Sequence, residues 1–152
     1  MRLLLQRVAS ARVEVAGEVI GAIGHGLVAF VAVLPGDQDR DADWLIDKLL
    51  GLRIFNDADG KMNLSVCDVG GGVLTVSQFT LAADVLRGRR PSFTNAAPPA
   101  EAEQRYEYFL RRLRTVSSDH ALALANGRFG ADMQVHLIND GPVTLLIDSP
   151  AH

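Results

Sequence analysis

Two short segments of the chain bring together residue types that could do chemistry. The first places two hydroxyl groups and an amide close together, in Ser77-Gln78-Phe79-Thr80-Leu81. The second interrupts an apolar run, in Asn139-Asp140-Gly141-Pro142-Val143-Thr144. Glycine frees φ, whereas proline fixes φ and removes an N–H group, so Gly141 and Pro142 can present backbone carbonyl oxygens at a rigid point. Such a point would suit a site that judges its ligand by shape rather than by charge.

The residue pattern contains no recognisable nucleophile with its base. Thr80 carries the obvious hydroxyl, but an unassisted hydroxyl attacks poorly and no base lies near it in sequence. Cys67 has no neighbouring histidine or basic residue, which favours a small buried apolar role over a reactive thiol. No metal site is predicted, because metal-ligand spacing is missing from the four histidines, His25, His120, His136 and His152.

Length and composition predict an ordinary globular protein. The chain has 152 residues, 48% of them apolar and 22% charged, which suits a single domain over residues 1–152. The formal net charge is −3, so contact with RNA would need a local basic patch such as Arg87-Gly88-Arg89-Arg90-Pro91. The single cysteine excludes an intramolecular disulfide. Without a long apolar run or a secretory signal, we expect a cytoplasmic protein with no membrane partner.

Hydrophobic periodicity predicts a sheet-rich chain with two helices. The first third reads as strands joined by tight turns. One helix should begin at a cap near Asp39 or Asp41 and stop at Gly51. Another should begin at Pro98-Pro99, because proline is tolerated in a first helical turn.

The remaining segments complete the predicted fold. A short strand is expected over residues 52–55, a buried strand over residues 73–76, and a loop or short helix over residues 117–126. The apolar runs at residues 133–138 and 143–147 predict a hairpin of two paired strands around residues 140–142. Together the elements predict an α/β fold, in which a compact single domain has packed mixed β-sheets with about two helices on one side.

Taken together, these segments resemble the D-aminoacyl-tRNA deacylase family, which is also known as D-tyrosyl-tRNA deacylase-like. Residues 77–81 are similar to the first signature of that family, and residues 139–144 are similar to the second, its Gly-cisPro motif. Further segments agree in order and at compatible spacing, namely Gln6-Arg7-Val8, Gly60-Lys61-Met62-Asn63-Leu64, Arg90-Pro91-Ser92-Phe93 and Phe129-Gly130-Ala131-Asp132-Met133. The likeness extends from Met1 to about Ile147.

The resemblance implies a homodimeric enzyme that hydrolyses the ester between a D-amino acid and the 3′ end of tRNA. It also implies removal of glycine mischarged onto tRNA, because glycine has no side chain to exclude. The implied partner is the acceptor end of an aminoacylated tRNA, and no metal or organic cofactor is implied.

The resemblance further assigns the catalytic segment to Ser77, Gln78, Phe79 and Thr80. Backbone N–H groups of this segment are candidates for stabilising the tetrahedral oxyanion. Two routes to attack stay open: activation by the 2′-hydroxyl of the terminal adenosine, or covalent catalysis by Thr80. The missing base favours the 2′-hydroxyl.

Selectivity is implied for the second motif. Gly141 and Pro142, joined by a cis bond, would point their carbonyl oxygens into the partner subunit's pocket and clash with an L side chain, with Arg7 holding the tip. Phe129 and Met133 are the candidates for binding the terminal adenosine, together with Phe79, because bases stack on aromatic faces. Core packing is the alternative role for Phe79 and Met133.

Three other functions fit the residues. A non-catalytic dimeric module that binds RNA ends or free amino acids would explain the missing catalytic side chains. An ordinary esterase could act on small esters through Thr80 or Ser77. An editing domain could instead act on one L-amino-acid error.

Overall fold

The two longest strands of the molecule pair with each other, and one of them also pairs with two further strands of the main sheet. The computed structural model describes residues 1–86 and 88–150. Its strands are β1 (Arg2–Val15), β2 (Glu18–Ile23), β3 (Gly26–Ala32), β4 (Phe55–Asn56), β5 (Met62–Leu64), β6 (Gly72–Ser77), β7 (Ala123–Asn126) and β8 (Met133–Asp148). Its helices are α1 (Asp39–Gly51) and α2 (Pro99–Val116), and a 3₁₀ turn covers Phe79–Ala82.

Six strands form one mixed sheet in the order β2-β1-β3-β6-β7, with β8 pairing along β1. The strand β1 is antiparallel to β2, β3 and β8, whereas β6 is parallel to both β3 and β7. The two ends of this sheet approach each other, because a Cβ added to Gly21 in β2 would lie 3.0 Å from the backbone oxygen of Asn126 in β7. The sheet is therefore nearly closed. The strands β4 and β5 form a separate pair.

Apolar side chains cover both faces of the sheet and form two clusters. Along β6, Val73 belongs to the first cluster and Leu74 to the second, as the alternation of side chains along a strand requires. Both helices pack into the first cluster, α1 through Leu45 and α2 through Phe109. The buried members of the second cluster, among the described residues, all come from strands. The predicted α/β fold, with two helices on one side of a mixed sheet, is confirmed.

The helix boundaries follow the sequence signals closely. The helix α1 begins after Gln38, whose backbone N–H donates to the Asp41 carboxylate at 2.8 Å, so the cap lies one residue before the predicted Asp39. It ends at Gly51, as predicted. The helix α2 begins at Pro99 and buries the predicted apolar stripe, which consists of Ala102, Tyr106, Phe109, Leu110 and Leu113.

The predicted terminal hairpin is wrong. Residues 133–138 and 143–147 belong to one continuous strand, β8, and both halves pair with β1 rather than with each other. The physical reason is length, since β1 has 14 residues and β8 has 16, so a single partner strand accommodates both apolar runs. Gly141 and Pro142 therefore interrupt a strand as a bulge, and a turn signal in sequence does not distinguish a bulge from a hairpin tip.

Two shorter segments also differ from expectation. The strand predicted over residues 52–55 begins only at Phe55, the first residue of β4. Residues 117–126, predicted as a loop or short helix, end in the strand β7. This strand has 4 residues with only partial burial, so it shows no alternation that a sequence pattern could reveal.

The strands β3 and β6 approach so closely at Gly26 that a side chain does not fit. A Cβ added there would lie 2.0 Å from the backbone oxygen of Gly72. We expect Gly26→Ala to lower the free energy of unfolding by roughly 3 kcal/mol, because the strands must move apart. Gly24→Ala is the matched control, since its Cβ would meet nothing within 4 Å. Urea denaturation measures both, and a parental midpoint for Gly26→Ala would contradict the close approach.

Candidate active site

A cavity of about 660 Å³ opens beyond the carboxyl ends of the parallel strands β3 and β6. This end of a parallel pair is a common place for a ligand, and the volume is in the range of small-molecule sites. The wall is mostly apolar, and Asp132 is the one charged side chain among its described lining residues. The cavity can therefore hold a mainly apolar group with a few polar contacts.

The segment predicted to be catalytic forms one side of this cavity. Ser77 is the last residue of β6, and the backbone N–H of Gln78 donates to the Val31 oxygen at 2.7 Å. The chain then enters the 3₁₀ turn, whose first backbone N–H groups have no partner inside the turn. The exposed Thr80 hydroxyl accepts a hydrogen bond from the Gln78 side-chain amide. An amide is not a base, so this contact does not activate Thr80 as a nucleophile.

Three aromatic side chains contribute to the described wall of the cavity. The Phe79 ring is 52% exposed and packs edge-on against Phe93, with ring centroids 5.2 Å apart. Phe129 and Met133 also line the cavity, and both pack against the core. Phe79 is therefore not a core residue, whereas Phe129 and Met133 contribute to both core and cavity.

Sequence reasoning missed two residues that line the cavity, Phe93 and Asp132. Each lies inside a segment that carried the family resemblance, and that position was the only available signal. An isolated phenylalanine or aspartate has no pattern that assigns it to a site.

The second motif forms an exposed bulge in β8. Gln6 pairs with Thr144, and Val8 pairs with Asn139, so residues 140–143 all lie opposite Arg7. The peptide bond between Gly141 and Pro142 is cis, and both residues are exposed. The bulge therefore projects from the sheet as a tip, which we define as residues 139–143.

Arg7 is buried beneath this tip. Its Nε lies 2.8 Å from Oδ2 of Asp140, and its Nη1 donates to the buried carbonyl oxygen of Ile54. The planar guanidinium thus contacts the tip and the chain before β4 at once. This arrangement fits the holding role that the resemblance implied for Arg7.

One chain does not bring all the predicted site residues together. Ser77, Gln78 and Phe79 share the cavity with Phe129 and Met133, whereas Thr80 follows them in the chain and is not among the described residues that line it. Gly141, Pro142 and Arg7 are not among the described residues that line it. The predicted catalytic segment and the tip are therefore separate parts of the surface within a single chain.

Arg2 connects the 3₁₀ turn, which is part of the predicted catalytic segment, to the end of β8. Its Nη1 donates to the carbonyl oxygen of Leu81 at 2.9 Å, and its Nε donates to Asp148 at 2.7 Å. The hydrogen bond from Arg2 holds the pKa of the Asp148 carboxyl below its usual range. One guanidinium group therefore binds both Leu81 in the turn and Asp148 at the end of β8.

Neither Cys67 nor Tyr106 has the properties of a reactive group. Burial raises the pKa of the Cys67 thiol, which favours the neutral, unreactive form. Burial also raises the pKa of Tyr106, whose hydroxyl donates to the backbone oxygen of Thr75 at 3.1 Å. Among the described residues, no group of three or more histidines, cysteines or carboxylates is placed to hold a metal ion.

Basic side chains of α2 are mostly engaged by neighbouring polar groups. Arg105 pairs with Asp39 and Arg112 with Asp43, which joins α2 to α1. In the basic loop Arg89 and Arg90 are exposed, whereas Arg87 and the terminal His152 lie outside the described residues. The loop is therefore better placed than the helix to meet a phosphate. No helix in the described part of the chain is long and apolar enough to span a bilayer.

The Arg7–Asp140 contact makes a testable contribution to stability. Asp140 is 43% exposed, so Asp140→Asn should lower the free energy of unfolding by only about 1 kcal/mol. Arg7→Met should cost roughly 2 to 3 kcal/mol, because the Ile54 carbonyl also loses its charged donor. A double-mutant cycle in urea should give a coupling energy of about 0.5 to 1 kcal/mol. Strictly additive effects would contradict a direct contact.

Comparison with known sequences points to one family. The family model described as D-Tyr-tRNA(Tyr) deacylase matches residues 4–148. A D-aminoacyl-tRNA deacylase from Pseudomonas fluorescens (strain Pf0-1) is 58% identical over 98% of this chain and 100% of its own length. A protein of the same name from Variovorax paradoxus (strain S110) is 59% identical over 95% of this chain and 97% of its own.

Two solved structures are also similar. One, described as a c-Myc DNA Unwinding Element Binding Protein, is 42% identical with a TM-score of 0.91, over 99% of this chain and 100% of that chain. The other, described as a probable eukaryotic D-amino acid tRNA deacylase, shares the fold at 19% identity and a TM-score of 0.81, over 97% and 98%. The predicted family, and with it the class of hydrolytic enzymes, is confirmed: this chain belongs to the D-Tyr-tRNA(Tyr) deacylase family.

Proposed function

We propose that this protein hydrolyses the ester bond of D-aminoacyl-tRNA, releasing a free amino acid and tRNA, and that mischarged glycyl-tRNA is a further substrate. Membership of the deacylase family supports the reaction class. The observation that carries the proposal is the apolar cavity beside the Ser77–Thr80 segment, together with an exposed backbone tip at Gly141 and Pro142. The first can hold the reacting ester, and the second can test its configuration.

Selectivity arises across a homodimer. An L-amino acid and its mirror image carry the same groups, so a site rejects one of them by filling the volume that its side chain needs. Gly141 and Pro142 of the tip are exposed and lie outside the cavity of their own chain, which supports insertion into the cavity of a second copy. On the same strand Ile138 is 64% and Leu146 is 58% exposed, and such apolar side chains support a contact with a partner. Glycine passes because it has only hydrogen at that position.

The chemistry relies on the substrate and on the backbone of the catalytic segment. The 2′-hydroxyl of the terminal adenosine activates a water molecule, which attacks the ester carbonyl. The bond between that carbon and the 3′ oxygen then breaks, and the 3′ oxygen takes a proton. Backbone N–H groups at the start of the 3₁₀ turn stabilise the oxyanion, and one such donor is typically worth about 2.7 to 4 kcal/mol. The hydrogen bond that the Thr80 hydroxyl accepts comes from the Gln78 amide, which is not a base, and this supports the substrate-assisted route.

The acceptor end of tRNA is held by stacking and by charge. The adenine lies against Phe129 and Met133, with Phe79 at the cavity mouth. Arg89 and Arg90 meet phosphates near the 3′ end, so binding should weaken modestly with salt because few phosphates are contacted. In this proposal the reaction takes place in the cytoplasm, and it requires neither a metal nor an organic cofactor.

A paired deacylation assay with matched D- and L-aminoacyl-tRNA tests the proposed function. The parent should release the D-amino acid and leave the L-ester intact. Gly141→Ala should fold, because its Cβ would meet only Asn139 Oδ1, at 3.6 Å. Because Gly141 is exposed, the added methyl group would lie between the tip and the partner's pocket and hinder its insertion, so the D-over-L ratio should fall about tenfold.

Gly24→Ala serves as the control in this assay, since it adds the same methyl group at an open position far from the tip in sequence. It should keep the parental ratio. A parent that leaves both esters intact would identify a binding module, and a Gly141→Ala protein with parental selectivity would argue against the tip as the selective element.

Substrate assistance predicts a large loss of activity when the tRNA lacks its 2′-hydroxyl and little loss when Thr80 lacks its hydroxyl. A tRNA ending in 2′-deoxyadenosine should lose most of its turnover, about 100-fold or more, because the activating hydroxyl is missing. Thr80→Val keeps the shape of the side chain and should retain most of the activity. Single-turnover kinetics measures both. An acyl adduct trapped on Thr80 would refute the substrate-assisted route.

A further inference from the structure

The tip is a part of β8 that the strand ladder does not hold. Register passes from Thr144, which pairs with Gln6, to Asn139, which pairs with Val8. Residues 140–143 thus have no successive partners on β1, and bulged backbone is free to take other conformations unless side chains tie it down. If the carbonyl oxygens of the tip select a substrate by their position, side-chain contacts must fix that position.

The Asn139 side chain supplies hydrogen bonds across the base of the tip. Its Nδ2 donates to the carbonyl oxygen of Arg7 at 2.9 Å and to that of Val143 at 3.1 Å. Arg7 lies on the neighbouring strand, and Val143 is the last residue of the tip. One amide therefore connects the start of the tip, its end and the strand β1.

The chemistry of these two contacts requires an amide. Both acceptors are backbone carbonyl oxygens, so only the NH₂ group of Asn139 can face them, and the orientation of the amide is defined. A carboxylate of the same shape has no donor and would face two oxygens of like partial charge. Serine has one donor instead of two.

The Asn139 side chain also lies directly against the middle of the tip. Its Oδ1 would be the nearest contact of a Cβ at Gly141, at 3.6 Å. The Arg7–Asp140 ion pair holds the tip through a side chain, whereas Asn139 holds the backbone on both flanks. The two devices are therefore distinct.

We propose that Asn139 is a positioning residue, whose amide sets the backbone conformation of Gly141 and Pro142 and thereby the selectivity for D-amino acids. The conformational part stands on the hydrogen bonds alone, and the selectivity part rests on the proposed function. Asn139 touches backbone rather than substrate, so its loss should change the D-over-L ratio more than the rate on the D-substrate.

Asn139→Asp tests both parts in the full-length protein. This variant keeps the shape of the side chain and removes both donors. Asn63→Asp is the control, because it adds the same charge at an exposed position of β5. Hydrogen exchange of the backbone amides of Asp140, Gly141 and Val143 should become about tenfold faster in Asn139→Asp and stay parental in the control. The D-over-L ratio should fall about tenfold in Asn139→Asp.

Each outcome decides one part. Parental exchange at the tip in Asn139→Asp overturns the inference, whatever the activity. Faster exchange with a parental D-over-L ratio supports the conformational role and overturns the selectivity role. If the parent hydrolyses no D-aminoacyl-tRNA, the proposed function and the selectivity role fail, while the exchange data still decide the conformational role. If Asn139→Asp unfolds, the exchange comparison is made with Asn139→Ser, which keeps one donor and should show an intermediate increase.

Discussion

The pairing of β8 along β1 is the constraint on which the arrangement of the site depends. The register runs from Val15 opposite Met133 to Arg2 opposite Asp148, so β8 follows the whole length of β1. Its first residues form part of the cavity wall, and its middle carries the tip. Its last residue, Asp148, accepts a hydrogen bond from Arg2, which also binds the 3₁₀ turn beside the cavity. A shift of this register would displace every one of these parts together.

The interruption in that pairing is as important as the pairing itself. An ideal ladder would keep Gly141 and Pro142 flat within the sheet, whereas the bulge lifts them out as exposed backbone. Arg7 of β1 is buried beneath the tip. Its contact with Asp140 links β1 to the proposed selective element. The cavity and the tip remain apart in one chain, which fits a site completed by two copies.

Sequence reasoning recovered the parts of the fold that depend on local signals. The stripe of α2 and the stop at Gly51 follow from helical periodicity and from glycine's conformational freedom. The course of β8 could not be predicted in this way, because a turn motif between two apolar runs fits two arrangements. In a hairpin the two runs pair with each other, whereas around a bulge both runs pair with a third strand. The partners of Asn139 and the position of Phe93 depend on contacts between distant segments, which no short pattern contains.

A tip made of main chain has a consequence for the breadth of the enzyme. Carbonyl oxygens at residues 141 and 142 would sense only whether atoms occupy one volume beside the α-carbon. A side chain of the opposite handedness would extend elsewhere, so its length, polarity and charge would not enter the comparison. A single protein built in this way would serve chemically diverse amino acids, with no dedicated pocket for any of them.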